Sequence, residues 1–308
     1  MDSTPRIIFL GTPDFAVSSL HALLESGFPV VAVVTAQDKP AGRGLKLAES
    51  AIKQYAIKKN IPVLQPVKLK DPEFLEQLKS FQADIQVVVA FRMLPEIVWA
   101  MPAMGTINLH GSLLPQYRGA APINRAIMNG ESKTGVTTFK LQQEIDTGNI
   151  LLLEEIPIGP NETAGELHDH MKAVGAALVV QTIRGLMDGT LKGKPQQPTD
   201  RESLKTAPKI FTSDAEINWS ESVLIIHNKI RGLSPFPGAF TSFKDKTLKI
   251  FRSRPEKKAH NQKRGELETD GKEWLRFSAS DGYIYVEEMQ LEGKKRMRIS
   301  EFLRGYRP

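Results

Sequence analysis

The chain of 308 residues contains no cysteine. This absence excludes disulfide bonds, a thiolate nucleophile and cysteine-ligated zinc, and it is consistent with a reducing compartment. The sequence also lacks any apolar run near the roughly 18 residues that a membrane-spanning helix requires. Its first residues lack the pattern of a signal peptide, since a short polar segment leads directly into a predicted strand. We therefore expect a cytoplasmic protein.

Charge is unevenly distributed along the chain. Residues 1–204 carry 20 Lys+Arg against 21 Asp+Glu, a net charge of −1, whereas residues 205–308 carry 21 against 14, a net charge of +7. A basic C-terminal part predicts an interaction with a polyanion such as a nucleic acid. A basic surface that keeps the protein soluble without binding any ligand would have the same composition.

Buried strands alternate with helices in the N-terminal part. The predicted strands are 6–11, 30–35, 61–64, 85–90, 135–141 and 150–156, and the predicted helices are 15–25, 48–59, 71–80, 121–129 and 163–188. The alternation of helices with buried apolar strands up to residue 90 is typical of a mostly parallel sheet covered by helices on both faces. We therefore predict a Rossmann-like α/β domain over residues 1–190.

The pattern changes after residue 190. Residues 191–208 contain several prolines and little apolar periodicity, which predicts a linker. A helix at 220–231 is followed by short strands separated by turn residues, predicted at 239–243, 247–253, 265–269, 273–277 and 283–289. Short strands with regular turns indicate a second domain, over residues 209–308, that is a small β-barrel or sandwich.

Asn108 and His110 are the main candidates for a functional site. They lie two residues apart, so their side chains share a face on an extended segment. A Ser-Leu-Leu-Pro turn follows, and open α/β sheets bind their ligands at such strand ends. Asp146, in an Asp-Thr-Gly turn between two predicted strands, is a candidate third member. Two polar core residues satisfied at a strand end would give the same local pattern.

Asparagine, histidine and aspartate can together carry out an acyl transfer. The amide of Asn108 can donate a hydrogen bond to a developing oxyanion, and His110 can move a proton. Asp146 can orient the imidazole or favour its charged form. Because no serine or cysteine occupies a recognisable nucleophile turn, we expect the nucleophile to belong to the substrate.

Three further features each admit a structural explanation. The Gly11-Thr12-Pro13 turn lacks the second and third glycines of a dinucleotide-binding loop, so we expect either a tight turn or a close approach to another ligand. The loop that holds Lys39, Arg43 and Lys46 is either a solvated loop or an arm that contacts phosphates and bases. Two histidines at 168 and 170 do not share a helix face, and we expect no metal site.

Several motifs together resemble the signature of the folate-dependent formyltransferases. They are Asn-Leu-His-Gly-Ser-Leu-Leu-Pro at 108–115, Tyr-Arg-Gly-Ala-Ala-Pro-Ile at 117–123 and Asp-Thr-Gly at 146–148. The resemblance covers essentially the full length of the chain. The Ala-Gly-Arg-Gly loop at 41–44 and the basic second domain make the chain similar to those members of the family that act on a tRNA.

The resemblance implies a reaction and a role for each candidate. The formyl group of 10-formyltetrahydrofolate would move to the α-amine of methionine on initiator tRNA. Asn108 and His110 would stabilise the tetrahedral intermediate, while Asp146 would keep His110 charged and assist proton transfer. The second domain resembles the OB-like barrel of the family, whose charge would attract phosphates in a salt-dependent manner. No metal is implied, and we expect a monomer.

The resemblance also implies binding residues. The segment that matches the folate-binding turn comprises Ser112, Leu113, Leu114 and Pro115. The loop that matches the lining of the pterin pocket comprises Phe91, Arg92 and Met93, where many relatives have Tyr-Gly in place of the first two. The candidates for contact with the tRNA substrate are Arg43, Lys39, Lys46, Gly11, Thr12 and Pro13.

Other functions remain open at this point. A formyltransferase for a nucleotide-linked amino sugar would keep Asn108, His110 and Asp146, but it would not need Arg43 or the basic C-terminal part. A glycinamide ribonucleotide formyltransferase would lack the second domain. A catalytically inactive RNA-binding protein would tolerate loss of the three polar residues, yet all three are present.

Overall fold

A computed structural model describes residues 4–41, 46–196 and 204–305. The chain forms two compact units, and neither is a single continuous segment. Unit 1 comprises Met1–Arg118, Gly135–Ile156 and His168–Lys205, and unit 2 comprises Gly119–Thr134, Pro157–Leu167 and Thr206–Pro308. None of the helices in these described ranges is long and apolar enough to cross a membrane.

The described ranges contain the following elements. The strands are β1 (Ile7–Gly11), β2 (Val30–Val34), β3 (Lys39–Ala41), β4 (Lys46–Ala48), β5 (Val63–Leu64), β6 (Ile85–Val89), β7 (Thr106–His110), β8 (Arg118–Gly119), β9 (Lys133–Lys140), β10 (Ile150–Pro157), β11 (Thr206–Ala207), β12 (Ala239–Phe243), β13 (Lys246–Lys257), β14 (Leu267–Thr269), β15 (Leu275–Ser278), β16 (Gly282–Leu291) and β17 (Met297–Arg298). The helices are α1 (Asp14–Glu25), α2 (Ala51–Lys58), α3 (Pro72–Ser80), α4 (Glu96–Trp99), α5 (Pro122–Met128), α6 (Ala164–Met187), α7 (Val223–Gly232) and α8 (Ile299–Gly305), with a 3₁₀ turn at Thr212–Ala215.

Unit 1 is built on a seven-stranded sheet in the order β10-β9-β7-β6-β1-β2-β5. The five strands from β7 to β5 pair in parallel, and β9 runs antiparallel to β7. The apolar strands predicted from the sequence form the centre of this sheet, where every residue of β1 and β6 is buried. The prediction of a mostly parallel, Rossmann-like sheet is thus confirmed.

The β3–β4 hairpin differs from the loop that the sequence predicts around Lys39, Arg43 and Lys46. Lys39 pairs with Ala48, and Pro40 pairs with Leu47. At the base of the hairpin the Lys53 ammonium lies 2.5 Å from an Asp38 oxygen, and this hydrogen bond is the main reason why the pKa of Asp38 is lowered. The strands have three residues each, too few for alternation to reveal them in the sequence.

Unit 2 is a curled antiparallel sheet of half-barrel form, in the order β12-β13-β16-β15-β14 with β17 beside β16. Its apolar face packs on α7, which buries Val223, Ile226 and Ile230 completely. This architecture confirms the predicted small β-domain of barrel type. Helix α8, which the sequence reading did not predict, adds Phe302 to the same core.

Helix α7 holds the Pro157–Leu167 segment within unit 2 through two buried side chains. The Nε2 of His227 lies 3.4 Å from the Pro160 carbonyl, which can only accept, and its Nδ1 lies 3.0 Å from the Ser253 hydroxyl. Arg231 donates to the carbonyl of Glu162 at 3.1 Å. Burial lowers the pKa of His227 below its ordinary value, so the buried ring is stabilised in its neutral form.

This buried histidine predicts a loss of stability in acid. Because the pKa of His227 is lower in the folded state, the unfolded chain takes up a proton first as the pH falls below about 6.5. We expect the contribution of His227 to the free energy of unfolding to be complete above that pH and to decline below it, by at most about 1.4 kcal/mol per pH unit. Urea unfolding at a series of pH values between 5 and 8 measures the effect.

The matched comparison uses two histidine variants. His227→Gln should show a flatter dependence of unfolding free energy on pH than the wild-type protein, since the titrating ring is gone. His170→Gln, at an exposed position, should keep the wild-type dependence. Identical pH dependence in His227→Gln and the wild-type protein would contradict the assignment.

Candidate active site

Asn108 and His110 lie on β7, an inner strand of the unit 1 sheet. Asn108 pairs with Val88 of β6 on one side and with Phe139 of β9 on the other, and His110 ends the strand. Asn108 is half-buried, and its side-chain amide has no hydrogen-bond partner among the described residues. A half-buried amide without a partner can donate its two hydrogens to a bound substrate.

His110 lies between a backbone carbonyl and a carboxylate. Its Nε2 is 2.9 Å from the carbonyl oxygen of Tyr117, and because a carbonyl only accepts, this nitrogen carries a hydrogen. Its Nδ1 faces Asp146, 3.8 Å from the nearer carboxylate oxygen. The side chains of both residues are largely buried, at 8% and 13% exposure. The imidazole is thus held between a backbone acceptor on one side and a carboxylate on the other.

Asp146 sits in a tight loop before β10. Its backbone has a φ of 53°, in the left-handed region that aspartate tolerates better than most residues. Gly148 follows, and a Cβ at that position would lie 1.6 Å from the carbonyl oxygen of Lys140. The side-chain amide of Gln196 donates to the carbonyls of Asp146 and Gly148, both at 2.8 Å. The loop is therefore fixed by close packing and by hydrogen bonds to its backbone.

The turn after His110 is fixed by hydrogen bonds within it and from Thr137. The Ser112 hydroxyl donates to the Gln116 carbonyl at 2.6 Å, so its hydrogen is engaged within the turn. Thr137 of β9 donates to the Ser112 carbonyl at 2.6 Å and accepts from the Leu114 amide at 3.2 Å. Ser112 and Leu114 are buried and shape this turn. Of the four residues predicted to bind folate in this turn, Leu113 and Pro115 keep partly exposed side chains.

The loop after β6 carries Arg92, whose side chain is held by backbone carbonyls. Arg92 extends across the surface and donates to the carbonyls of Val67, at 3.0 Å, and Pro66, at 2.5 Å. Its guanidinium carbon lies 5.7 Å from the centre of the Phe91 ring. Met93 is 71% exposed. The guanidinium of Arg92 is thus hydrogen-bonded to backbone carbonyls. The assignment of this loop to a pterin pocket stays a prediction.

The carboxyl edge of the parallel strands gathers several of the predicted residues. Gly11 pairs with Val89, and Val89 pairs with Leu109, so the three strand ends are in register. Neighbouring strands are about 4.8 Å apart. This places the Gly11-Thr12-Pro13 turn and the loop from Phe91 to Met93 at the same sheet edge as His110.

The remaining predicted residues belong to the β3–β4 hairpin. Lys39 begins β3 and is exposed, and Lys46 begins β4. Arg43 lies outside the described residues. Their proposed contacts with tRNA stay predictions.

A possible metal cluster forms at Asp14, His168 and Asp169, whose ligand atoms lie within 4.8 Å of one another. The ammonium of Lys172 is 2.9 Å from both carboxylates. Hydrogen bonds to Asp169 and Asp14 raise the pKa of Lys172, so a cation of the protein already neutralises the two carboxylates. The cluster is explained as an ion-pair network on the surface of unit 1.

Sequence reading missed two residues that hold the site together. Thr137 lies inside a predicted strand, where nothing local distinguishes it from the adjacent Thr138. Gln196 was inside the predicted linker, where nothing local distinguishes it from a solvated glutamine. Both act through distant backbone groups, which spacing along the sequence does not reveal.

The fold of unit 1, with polar residues gathered at the carboxyl edge of its sheet, is that of an α/β enzyme of the transferase class. Residues 5–183 match the family described as formyl transferase, and residues 209–307 match the formyl transferase C-terminal domain. The chain belongs to the formyl transferase family.

Relatives cover nearly the whole chain. A methionyl-tRNA formyltransferase from Parabacteroides distasonis is 49% identical over 98% of this chain and 96% of its own length. A protein of the same name from Bacteroides fragilis is 47% identical over 98% of this chain and 95% of its own length. A solved N-formyltransferase from Helicobacter canadensis, in complex with folinic acid and dTDP-3-aminofucose, shares the fold with a TM-score of 0.69, at 23% identity over 94% of this chain and 99% of its own.

Proposed function

We propose that this protein transfers the formyl group of 10-formyltetrahydrofolate to the α-amino group of methionyl initiator tRNA, giving N-formylmethionyl-tRNA for translation initiation. The observation that carries the proposal is the grouping of Asn108, His110 and Asp146 at the end of β7, with the Asn108 amide free to donate. The two methionyl-tRNA formyltransferases that are 49% and 47% identical to this chain support this choice of substrate.

The reaction needs no nucleophile from the protein. The amine nitrogen attacks the formyl carbon, the carbonyl oxygen becomes an oxyanion, and the bond from the formyl carbon to the folate nitrogen then breaks. The proton that the amine loses ends on that folate nitrogen. Asn108 donates to the oxyanion, and the charged form of His110 adds electrostatic stabilisation. Asp146 stabilises that charge and assists the proton transfer.

The turn of residues 111–117 offers the apolar surface and the nearby polar group that a folate co-substrate would need. Leu113 and Pro115 keep partly exposed apolar surface, which suits an aromatic ring system, while Asn108 supplies the polar contact. The buried Ser112 and Leu114 support this surface by fixing the turn. They are therefore proposed to act on folate through the shape of the backbone.

The tRNA would bind to basic residues in two parts of the chain. The net charge of +7 over residues 205–308 would attract phosphates with affinity that falls as salt rises. Arg43, with Lys39 and Lys46, would contact the acceptor end. We further propose that the protein acts as a cytoplasmic monomer, which light scattering of the purified chain would test.

The test is a formylation assay with 10-formyltetrahydrofolate and charged initiator tRNA. The wild-type protein should formylate initiator methionyl-tRNA far faster than elongator methionyl-tRNA. A dTDP-linked amino sugar in place of the tRNA should give no product. Formylation of the sugar alone would replace the proposed function with the amino-sugar alternative.

Arg43→Ala should reduce tRNA formylation selectively. Loss of one phosphate or base contact is expected to cost about 1–3 kcal/mol, or roughly 5- to 150-fold in kcat/KM for initiator tRNA. Folate binding, measured by fluorescence titration, should stay at the wild-type value. Lys58→Ala, an exposed lysine of α2, is the control. Unchanged discrimination between initiator and elongator tRNA in Arg43→Ala would remove this residue from tRNA recognition.

A further inference from the structure

The segment before residue 197 is attached to the loop that carries Asp146. The backbone of Lys194 exchanges two hydrogen bonds with Ile150 at the start of β10, each 2.8 Å long. Gly193 packs against Asn149, since a Cβ there would lie 2.8 Å from the Asn149 side chain. The first part of the predicted linker is thus an ordered edge of unit 1, and it brings Gln196 to the active-site loop.

The amide group of Gln196 has a single possible orientation. Arg118 donates to its oxygen through Nε at 3.2 Å and Nη2 at 2.6 Å, and arginine has no acceptor. The amide nitrogen must then face the carbonyls of Asp146 and Gly148, which only accept, at 2.8 Å each. Gln196 makes all four hydrogen bonds at once. Its side chain therefore connects Arg118 rigidly to the loop of Asp146 and Gly148.

Those two segments supply both partners of the His110 imidazole. Arg118 directly follows Tyr117, whose carbonyl oxygen accepts from Nε2 of His110 at 2.9 Å. Asp146 places its carboxylate 3.8 Å from Nδ1 of the same ring. Gln196 therefore fixes the separation of the carbonyl from the carboxylate, and the ring lies between them.

We propose that Gln196, oriented by Arg118, is a positioning residue that holds Asp146 against His110 during formyl transfer. This inference rests on the proposed function. Asp146 has a left-handed backbone, which costs free energy in a residue other than glycine. Two hydrogen bonds from one amide to the carbonyls of that loop stabilise the conformation that keeps the carboxylate facing Nδ1.

The test removes the amide and keeps the size of the side chain. Gln196→Met should lower kcat for formylation between about 10- and 100-fold, because small displacements of a catalytic group have effects of this size. KM for initiator tRNA should stay within twofold. Gln290→Met is the matched control, since Gln290 also donates to a backbone carbonyl but lies in the sheet of unit 2.

A double substitution separates positioning from general stability. If Gln196 acts through the Asp146 carboxylate, Gln196→Met should have almost no further effect on kcat in an Asp146→Asn protein. The same fold-loss in both backgrounds would overturn the inference, as would a wild-type kcat in Gln196→Met. If Gln196→Met does not fold, Gln196→Glu replaces it, since a carboxylate keeps the acceptor for Arg118 but cannot donate to the two carbonyls.

The wild-type protein assayed in parallel separates this inference from the proposed function. An inactive wild-type protein would defeat the function but not the positioning role. In that case nitrogen NMR of the His110 ring provides the readout without substrate. A changed Nδ1 signal in Gln196→Met would support the role, and a wild-type signal would overturn it.

Discussion

Replacing His110 by alanine is expected to lower kcat for formyl transfer by about 10³-fold, within the range of general acid–base residues. The ring lies between the Tyr117 carbonyl and the Asp146 carboxylate. Under the proposed function, its removal would take away both the charge beside the oxyanion and the group that moves the proton. Binding of initiator tRNA, measured by filter retention, should change less than threefold. Equal losses in catalysis and in tRNA affinity would reject His110 as a catalytic residue.

Two further variants define what the ring contributes. His110→Gln keeps a side-chain donor for the Tyr117 carbonyl but cannot become charged, so it should remain as inactive as His110→Ala if the charge is what matters. His170→Ala, at an exposed position of α6, should retain wild-type activity. Recovery of activity in His110→Gln would instead show that the ring mainly supports the local backbone.

Gly148→Ala is expected to disrupt the Asp146 loop and to destabilise the protein. The new Cβ would lie 1.6 Å from the Lys140 carbonyl oxygen and 3.2 Å from the ring of Phe139, and a backbone oxygen cannot move aside cheaply. Relief of the clash should shift the loop, with a loss of about 1–3 kcal/mol in the free energy of unfolding. Because Asp146 moves with the loop, kcat should fall by about 100-fold as well.

Urea unfolding and the formylation assay measure these two effects. Gly305→Ala is the matched control, because that glycine ends α8, and among the described residues a Cβ there has no side chain or distant backbone atom within 4 Å. It should be as stable and as active as the wild-type protein. Wild-type activity in Gly148→Ala would show that the loop tolerates the displacement, and the close packing would then have no role in catalysis.

The sequence was sufficient to predict the central sheet and the three catalytic candidates. Ile7–Gly11 is apolar throughout and Ile85–Val89 is apolar except for Gln86, a pattern that is typical of strands in a sheet covered on both faces. Asn108 and His110 could be paired because side chains alternate along a strand, and Asp146 followed from its turn-like setting. The structure places His110 and Asp146 side by side.

The supporting contacts could not be predicted, because they join residues far apart in the chain. Gln196 reaches back 50 residues to the Asp146 carbonyl and 78 residues to Arg118. Thr137 supports the turn at Ser112 across 25 residues. Hydrophobic periodicity carries no information about such pairs, since a polar side chain with a partner and one in water look alike in the sequence.

The division into units also departs from a simple cut along the chain. The predicted boundaries at residues 190 and 208 stay predictions, but Gly119–Thr134 and Pro157–Leu167 belong to unit 2. Met128 of α5, for example, packs on the core formed by α7 and the C-terminal sheet. A protein that ends near residue 206 would keep this apolar side chain and lose the surface that covers it.

The composite make-up of unit 2 has a consequence for synthesis on the ribosome. Helix α5 emerges more than a hundred residues before the strands of the core on which Met128 packs, a delay of roughly 5–30 seconds at ribosomal elongation rates. The nascent chain therefore carries an unfinished apolar surface, open to chaperones, until β16 has left the exit tunnel. For the same reason, a chimaera with a relative should exchange all three segments of unit 2 together, because a swap of the last hundred residues alone would mismatch the core.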